Sequence, residues 1–201
     1  MKLTYKIFTI IGLILTIASC GLFSPRDPES PDTGKSSYVP PTSPDIVITN
    51  FIASLKEKNT ENYIACFTMK VTSDSKEFVF IPSNEASSLY PQVFDSWGII
   101  NERQYFVSMI TKLLNEFSPD LQLSNSRFDV ITPDSAIYIS DYYLYVNHNI
   151  TTYTNKAQGT LQFSLIHRSD GLWSINQWYD FKPAVDTLKI TWSVLKAQFI
   201  N

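Results

Sequence analysis

The sequence predicts an α+β domain in which N-terminal helices pack against a cone-like, curved antiparallel sheet of about four long strands. Apolar residues recur at helical spacing in the first half of the folded part of the chain and at a period of two in the second half. An Asp-Gly turn separates the last two alternating runs. Helices first and strands later are typical of α+β folds, in which helices cover one face of the sheet.

The segment from Tyr153 to Phe181 carries the clearest hairpin signal of the chain. Its turn is Arg168-Ser169-Asp170-Gly171, and Asp-Gly between alternating runs favours a tight β-turn. In the run before the turn, Leu161, Phe163 and Leu165 share one face of the predicted strand.

The run after the turn breaks its own period. Trp173 and Ile175 are two positions apart, but the next large apolar residue, Trp178, comes three positions later. This offset predicts a β-bulge near Asn176 and Gln177, where an extra residue bends the strand.

Two short helices are predicted before the first strand. Ser43 with Pro44 is typical of a helix start, and Asn59 is the expected left-handed terminator. Thr60 is then the expected N-cap of a second helix that runs through Phe67.

A third helix and a C-terminal helix complete the helical pattern. Asn101-Glu102-Arg103-Gln104 resembles a capping box, and Ser118-Pro119 is a stop signal. The apolar stripe of the third helix consists of Phe106, Met109, Leu113 and Phe117, and that of the last consists of Leu188, Trp192, Leu195 and Phe199. The last helix has no basic excess on its polar face, so we expect it to pack on the domain.

Three further strands are predicted besides the hairpin. The first lies in the segment 76–82, before an irregular stretch from Ser83 to Gly98. The other two run from Leu121 to Thr132 and from Asp134 to Asn147.

The composition argues against nucleic acid as a partner. The chain has 201 residues, 17% of them charged, and a formal net charge of -3. Nucleic-acid binding needs a clustered basic surface, and none is visible. Two histidines without Cys/His spacing predict no metal site and no cofactor. Cys66 lies in a helical pattern and is expected to be a small buried apolar residue.

The N-terminus resembles a bacterial lipoprotein signal. Residues 1–19 combine Lys2 and Lys6 with a short apolar run, which is typical of a signal peptide. Ile17-Ala18-Ser19-Cys20 is similar to the lipobox, which implies lipid attachment at Cys20 and anchoring to a membrane of the bacterial cell envelope, on its periplasmic or surface face. An ordinary secretory signal is the alternative. Residues 20–42 are rich in proline and are expected to form a flexible tether before a domain at residues 43–201.

Several segments together resemble the nuclear transport factor 2-like superfamily, whose cone-shaped fold is shared by ketosteroid isomerases and SnoaL-like cyclases. The resemblance rests on the paired helices FIASLKEKNTENYIACF, a third helix after SWGIINE, and long strands ending in GLWSINQWYDF. It covers about residues 43–182. More narrowly, Trp97-Gly98 with Glu102, Trp173 with Trp178 and Asp180, and the closing TWSVLKAQF are similar to bacterial lipoproteins that carry this domain.

Enzymes of this superfamily place an Asp, His or Tyr on the inner wall of the cone, so four side chains are candidate acids or bases. Asp141 and His148 are seven apart, which puts them on opposite sides of a regular strand. His167 lies beside the turn and is expected at the end of the sheet. Asp180 is expected to orient a neighbouring backbone group or the Trp97 indole. None matches a catalytic motif of the superfamily, so we assign no catalytic residue.

A candidate pocket is formed by aromatic residues expected to face the space between helices and sheet. They are Tyr63, Phe67, Phe78, Tyr138, Tyr142, Phe163, Trp173 and Trp178. Either they fill that space, or they line a site for a small apolar ligand with phenol hydroxyls at its mouth. The sequence favours a non-enzymatic module that binds such a ligand or a protein. An isomerase, cyclase or hydrolase is the alternative, and a homodimer through the open sheet face is implied by the resemblance.

The lipid anchor is tested by Cys20→Ala. Loss of the only side chain that can accept the lipid should abolish acyl labelling and release the protein from membranes. Metabolic labelling with a fatty acid and membrane fractionation measure both effects. Unchanged fractionation of the variant would contradict the anchor.

Overall fold

The computed structural model describes residues 36–69, 76–183 and 190–200. The signal peptide, Cys20 and most of the tether lie outside these residues. The helices are α1 Pro44–Glu57, α2 Thr60–Ala65, α3 Asn84–Leu89, α4 Ile99–Thr111 and α5 Trp192–Phe199. The strands are β1 Val79–Ile81, β2 Asp120–Ile131, β3 Ser135–Tyr145, β4 Lys156–His167 and β5 Trp173–Phe181.

The predicted α+β fold is confirmed. One five-stranded sheet has the order β1-β5-β4-β3-β2, and its four long strands are antiparallel. The fifth member is the short β1, which pairs in parallel with β5 and places Phe80 opposite Trp178. The sequence predicts a strand at this place but not its parallel pairing, because the pairing partner lies about a hundred residues away along the chain.

The hairpin between β4 and β5 has the predicted tight turn and bulge. Gly171 adopts a φ of 80°, and its N–H donates to the carbonyl of Arg168 at 3.0 Å. Ser164 pairs with Gln177 whereas Leu165 pairs with Ile175, which leaves Asn176 as the extra residue.

The Asn176 side chain also connects the bulge to the segment before β1. Its Nδ2 donates to the carbonyl of Glu77 at 3.1 Å. The bulge therefore bends β5 and brings it against the edge strand.

The junction between α1 and α2 differs from the prediction by one residue. Lys58, not Asn59, takes the left-handed conformation, with a φ of 55°. Asn59 is instead the N-cap of α2, and its side chain accepts the N–H of Asn62 at 3.1 Å. At the N-cap, the asparagine side chain satisfies a helical N–H that would otherwise be unpaired. Thr60, the predicted N-cap, is instead the first residue of the helix. The helix α2 ends at Ala65, before Phe67.

The third predicted helix is displaced at both ends. It starts at Ile99, where the Asn101 side chain accepts the N–H of Gly98 at 3.2 Å. It ends at Thr111, so the prediction that it reaches Phe117 is wrong, and Phe117 is 49% exposed. The chain leaves the helix because the Leu114 N–H pairs with the carbonyl of Asn147, just after β3.

The stretch from Ser83 to Gly98 is not wholly irregular, since it contains α3. Ser83 caps this helix by accepting the N–H of Ala86 at 3.4 Å. The short length of the helix, six residues, gave no apolar period in the sequence.

The core lies between the inner face of the sheet and the helices. Phe51 of α1 is at its centre, with its ring 5.2 Å from that of Phe163 and 5.6 Å from that of Trp178. Cys66 is buried as expected. The C-terminal helix α5 packs into the same core, as predicted, and Trp192, Leu195 and Phe199 are fully buried. Leu188 lies outside the described residues. Nowhere in the described part of the chain is a helix long and apolar enough to cross a membrane.

The segment 36–42, which the sequence assigns to the tether, is hydrogen-bonded to the domain. The Asn50 side chain accepts the N–H of Val39 at 3.0 Å and donates to its carbonyl at 2.7 Å. The Trp173 N–H donates to the carbonyl of Pro41 at 2.7 Å. Contacts with the domain therefore begin several residues before Ser43.

Gly159 of β4 permits a close approach that a larger residue would prevent. A Cβ at this position would lie 2.5 Å from the Phe181 carbonyl and 2.6 Å from the Tyr142 hydroxyl. We expect Gly159→Ala to lower the free energy of unfolding by about 3 kcal/mol, because overpacking forces strand β5 or the Tyr142 ring to move.

The control for this prediction is Gly98→Ala, where the nearest atom to the new Cβ is 3.7 Å away. Gly98→Ala should lower the free energy of unfolding by less than about 1 kcal/mol, as measured by urea denaturation. Equal losses for the two variants would contradict the proposed steric role of Gly159.

Candidate functional site

Two buried polar clusters lie where α5 enters the space enclosed by the sheet and the other helices. We call them the Glu102 cluster, formed by Glu102, Trp97, Tyr63 and Lys196, and the Asp180 cluster, formed by Asp180, Tyr142 and Ser193. All of these residues are at most 4% exposed. Buried polar groups are destabilising unless they are hydrogen-bonded, so their partners decide what they can do chemically.

In the Glu102 cluster, one carboxylate receives hydrogen bonds from three elements. Trp97 Nε1 donates to Oε2 at 2.7 Å, and the Tyr63 hydroxyl donates to Oε1 at 2.6 Å. Lys196 Nζ of α5 also donates to Oε1 in an ion pair that is completely buried. The carboxylate therefore joins α2, α4, α5 and the loop before α4.

The Lys196 ammonium group is surrounded by aromatic rings. Its Nζ lies 3.9 Å from the ring centroid of Trp178, 4.3 Å from Phe80 and 4.9 Å from Tyr105. Burial lowers the pKa of Lys196 to about 8, although the neighbouring Glu102 carboxylate acts in the opposite direction. The rings stabilise the cation and exclude water from it.

In the Asp180 cluster, the carboxylate is the acceptor for three donors. The Tyr142 hydroxyl donates to Oδ1 at 2.7 Å, and the Ser193 N–H donates to Oδ2 at 2.7 Å, as does the Ser193 hydroxyl. Burial raises the pKa of Asp180, and the hydrogen bonds from Ser193 and Tyr142 partly counter this rise. Asp180 orients a backbone group, as the first of its two expected roles requires, and that group is the Ser193 N–H of α5. The alternative partner, the Trp97 indole, donates to Glu102 instead.

Two buried phenol hydroxyls, those of Tyr105 and Tyr142, accept hydrogen bonds from Trp192 of α5. Trp192 Nε1 donates to the Tyr105 hydroxyl at 2.8 Å, and the Trp192 N–H donates to the Tyr142 hydroxyl at 2.7 Å. Burial raises the pKa of Tyr63, Tyr105 and Tyr142 well above the ordinary value. These hydroxyls are therefore protonated and hydrogen-bonded within the protein at neutral pH.

Two of the other candidate acids and bases, Asp141 and His167, lie away from the interior. Asp141 accepts from Asn125 at 2.8 Å and from Thr160 at 2.7 Å, and these bonds lower the pKa of its carboxyl. His167 is exposed at the end of β4, as expected, with its ring 5.3 Å from that of Trp173.

His148 lies in the loop after β3, where both ring nitrogens have partners. Its Nδ1 accepts the N–H of Ile150 at 3.2 Å, so its Nε2 is the nitrogen that donates to the carbonyl of Thr154 at 3.0 Å. The ring therefore stabilises the loop.

The eight candidate pocket residues lie in the core and contact one another and α5. They are Tyr63, Phe67, Phe78, Tyr138, Tyr142, Phe163, Trp173 and Trp178, none more than 6% exposed. Trp178 lies 4.7 Å from Trp192 and 5.2 Å from Phe163, measured between ring centroids, in edge-to-face geometry. The side chains of α5 thus occupy part of the space in which a ligand site is expected from the sequence.

The described residues form two open clefts at the protein surface. One, of about 310 Å³, is lined by 81–85 and 179–182; the other, of about 410 Å³, is lined by 122–124, 141–143, 158–159 and Pro183. Of the eight pocket residues, Tyr142 alone borders either cleft. Among the described residues, no three His, Cys, Asp or Glu side chains are grouped to hold a metal ion.

Sequence reasoning missed Lys196, Tyr105 and Ser193, and it treated Glu102 only as part of a structural motif. A signal for the ion pair was present in the helical spacing. Lys196 is four residues after Trp192, and Glu102 is four before Phe106, so each charged residue shares a helix face with a core aromatic residue. Residues of opposite charge on the apolar faces of two different helices indicate a buried ion pair.

Comparison with known proteins finds similarity to solved structures but not to known sequences. No protein-family model matches the sequence, and no curated protein sequence matches it. Among solved structures, the chain is similar to a nuclear transport factor 2-like superfamily protein from Salmonella enterica, with 13% identity and a TM-score of 0.52, over 71% of this chain and 89% of that one.

Two further similar structures are described as candidate enzymes. One is a candidate dehydratase of the nuclear transport factor 2-like family from Streptomyces avermitilis, with 8% identity and a TM-score of 0.51 over 70% of this chain and 94% of that one. The other is a candidate scytalone dehydratase from Novosphingobium aromaticivorans, with 12% identity and a TM-score of 0.50 over 73% of this chain and 88% of that one. The fold is therefore the α+β cone of nuclear transport factor 2-like proteins. At these identities the likeness concerns the fold and not the chemistry.

The stability of the filled core depends on the pairing of Lys196 with Glu102. Lys196→Met leaves the Glu102 carboxylate buried without a cation, and we expect it to lower the free energy of unfolding by about 3–5 kcal/mol. Adding Glu102→Gln removes the unpaired charge and should recover about 2 kcal/mol or more in urea denaturation.

The control is the exposed pair of Arg103 and Glu61, whose side chains are 41% and 77% exposed. Glu61→Gln should change the unfolding free energy far less, because water screens that pair. Additive effects of the two core substitutions would contradict the coupling.

Proposed function

We propose that the chain is a lipid-anchored, extracytoplasmic module of the bacterial cell envelope that binds a protein partner without catalysis. The observation that carries this proposal is the position of α5, whose Trp192 and Lys196 side chains lie among the aromatic residues of the cone. The side chains of α5 thus occupy the space between the helices and the sheet in which a small ligand would otherwise bind.

The state of the acid and base groups supports a non-catalytic role. A general acid or base must reach a proton of the substrate. Asp180 and Glu102 each accept three hydrogen bonds from buried donors. Both nitrogens of His148 are engaged with backbone groups.

An enzyme of the isomerase, cyclase or hydrolase type is the second candidate. It is favoured by the structural neighbours described as candidate dehydratases. For this chain it requires α5 to leave the cone, which would expose Asp180, Tyr142 and Glu102 together. The hydrogen bonds of Ser193 and Lys196 of α5 to those carboxylates oppose that motion.

The open face of the sheet is the surface that we assign to the partner, and a second copy of the chain is the partner that we expect. Tyr179 and Phe181 stack with an interplanar angle of 3° on this face, and Phe181 is 45% exposed. Val79 of the neighbouring strand is 44% exposed. Asp141 on this face is hydrogen-bonded to Asn125 and Thr160.

The filled cone is tested by titrating the purified protein with 8-anilinonaphthalene-1-sulfonate and with a long-chain fatty acid. Because Trp178 and Trp192 lie in the core, any occupant should alter their fluorescence. We expect no saturable change up to about 100 μM, a concentration at which a preformed apolar site would be occupied.

Trp192→Ala is the positive control, since it removes the largest α5 side chain and should open a cavity that binds the dye. Phe117→Ala, at an exposed position, should behave as the wild type. Saturable binding by the wild-type protein would refute the filled cone.

The sheet-face dimer is tested by Phe181→Glu. A charge on each of two facing sheets should convert a dimer into a monomer without a large change in melting temperature. Analytical ultracentrifugation measures the mass, and Ile100→Glu, at a position 78% exposed on α4, should stay dimeric. A monomeric wild-type protein would contradict the second-copy assignment.

A further inference from the structure

Lys196 and Glu102 form a nucleophile and an acceptor that face each other in a closed, apolar site. Both side chains are completely buried, and they belong to different helices, α5 and α4. Lys196 Nζ contacts Oε1 of Glu102 directly. The rings of Trp178, Phe80 and Tyr105 lie within 4.9 Å of Nζ and separate it from solvent.

We propose that Lys196 and Glu102 become joined by an intramolecular amide bond, formed by the protein without another enzyme. The bond would link Nζ of Lys196 to Cδ of Glu102 and covalently fix α5 in the cone. It would be a modification site within the fold, independent of any partner or ligand of the domain.

The reaction is a condensation that needs no external reagent. The ion pair consists of an ammonium group and a carboxylate. Nζ forms a bond to Cδ, one bond from Cδ to a carboxylate oxygen breaks, and the two protons that Nζ loses leave with that oxygen as water. No electron is gained or lost, and the product is a neutral amide.

The hydrogen-bond donors around Glu102 are placed to assist this step. The tetrahedral intermediate carries negative charge on oxygen, and preorganised donors stabilise such charge in a site without water. Trp97 Nε1 donates to Oε2 at 2.7 Å and holds the oxygen that stays. The Tyr63 hydroxyl, 2.6 Å from Oε1, can support the oxygen that leaves.

The environment of Lys196 also favours the neutral amine that must attack. Burial lowers its pKa to about 8, so the uncharged form is far more accessible than for an exposed lysine. Two reacting groups held in contact react as if at very high local concentration. A slow reaction suffices, because it has to occur only once in the life of each molecule.

Glu102, rather than Asp180, is the acceptor that the geometry indicates. The Asp180 carboxylate is engaged with the Tyr142 hydroxyl and with the backbone and hydroxyl groups of Ser193. It acts on Lys196 only through its charge. Asp180 is therefore a positioning residue, which fixes the start of α5 and so the place of Lys196.

The bond is detected by digesting the purified, denatured and reduced full chain with trypsin and analysing the peptides by tandem mass spectrometry. An acylated lysine is not cleaved, so we expect residues 77–103 joined to residues 190–201. The mass of this species should be one water less than the sum of the two peptides, and fragment ions should place the link at Lys196 and Glu102. Freshly folded protein still contains the ion pair, and the linked form should become the main species after incubation for a day at pH 8.

Two variants keep the test decisive. Lys196→Arg retains a cation for Glu102 but has no amine to acylate, so it should fold, as judged by near-ultraviolet circular dichroism, and give no linked peptide. Tyr63→Phe removes one donor and should slow linkage by roughly 10²-fold. Free peptides 77–103 and 190–196 as the main products from the wild-type protein would overturn the proposal, and so would a link from Lys196 to the peptide that carries Asp180.

Discussion

The buried carboxylate of Glu102 is the constraint on which the rest of the interior depends. A charge without water must be paired and hydrogen-bonded, or the folded state is lost. Trp97, Tyr63 and Lys196 satisfy it from the loop before α4, from α2 and from α5. No two of these elements can shift independently, because each would leave a donor or a charge unpaired. The register of α5 in the cone is therefore set by a polar contact, although most of its buried surface is apolar.

The second carboxylate, Asp180, fixes the other end of the same helix. It accepts the backbone N–H and the hydroxyl of Ser193 in the first turn of α5, while Tyr142 bridges it to the Trp192 N–H. An acidic group at a helix N-terminus is favourable both as a cap and for the helix dipole. Gly159 makes this arrangement possible, since any side chain there would collide with the Tyr142 hydroxyl. The polar groups that could serve catalysis in an open cone thus hold the helix that fills it.

The fold was predictable because it depends on local periodicity. The break in spacing between Ile175 and Trp178 located the bulge, and the Asp-Gly turn located the hairpin. Helix ends were less predictable, because Asn59 is acceptable both as a left-handed terminator and as an N-cap, and only the contact with Asn62 decides between them.

The interior chemistry could not be derived in the same way. Lys196 and Glu102 form a pair although about ninety residues of chain separate them. The sequence pattern indicates on which helix face each residue lies, but it does not indicate which helix faces pack together. The sequence left the partner of Asp180 open for the same reason. Its spacing on β5 indicated an inward side chain, but the partner came from α5 and not from Trp97.

Amide hydrogen exchange in α5 tests the central claim, that this helix is an integral part of the core and keeps the cone closed. We expect the amides of Lys196 to Phe199 to exchange only through global unfolding, with protection equal to that of the central strand β4. Exchange of these amides within seconds, while β4 remains protected, would show that α5 leaves the cone readily and is not an integral part of the core.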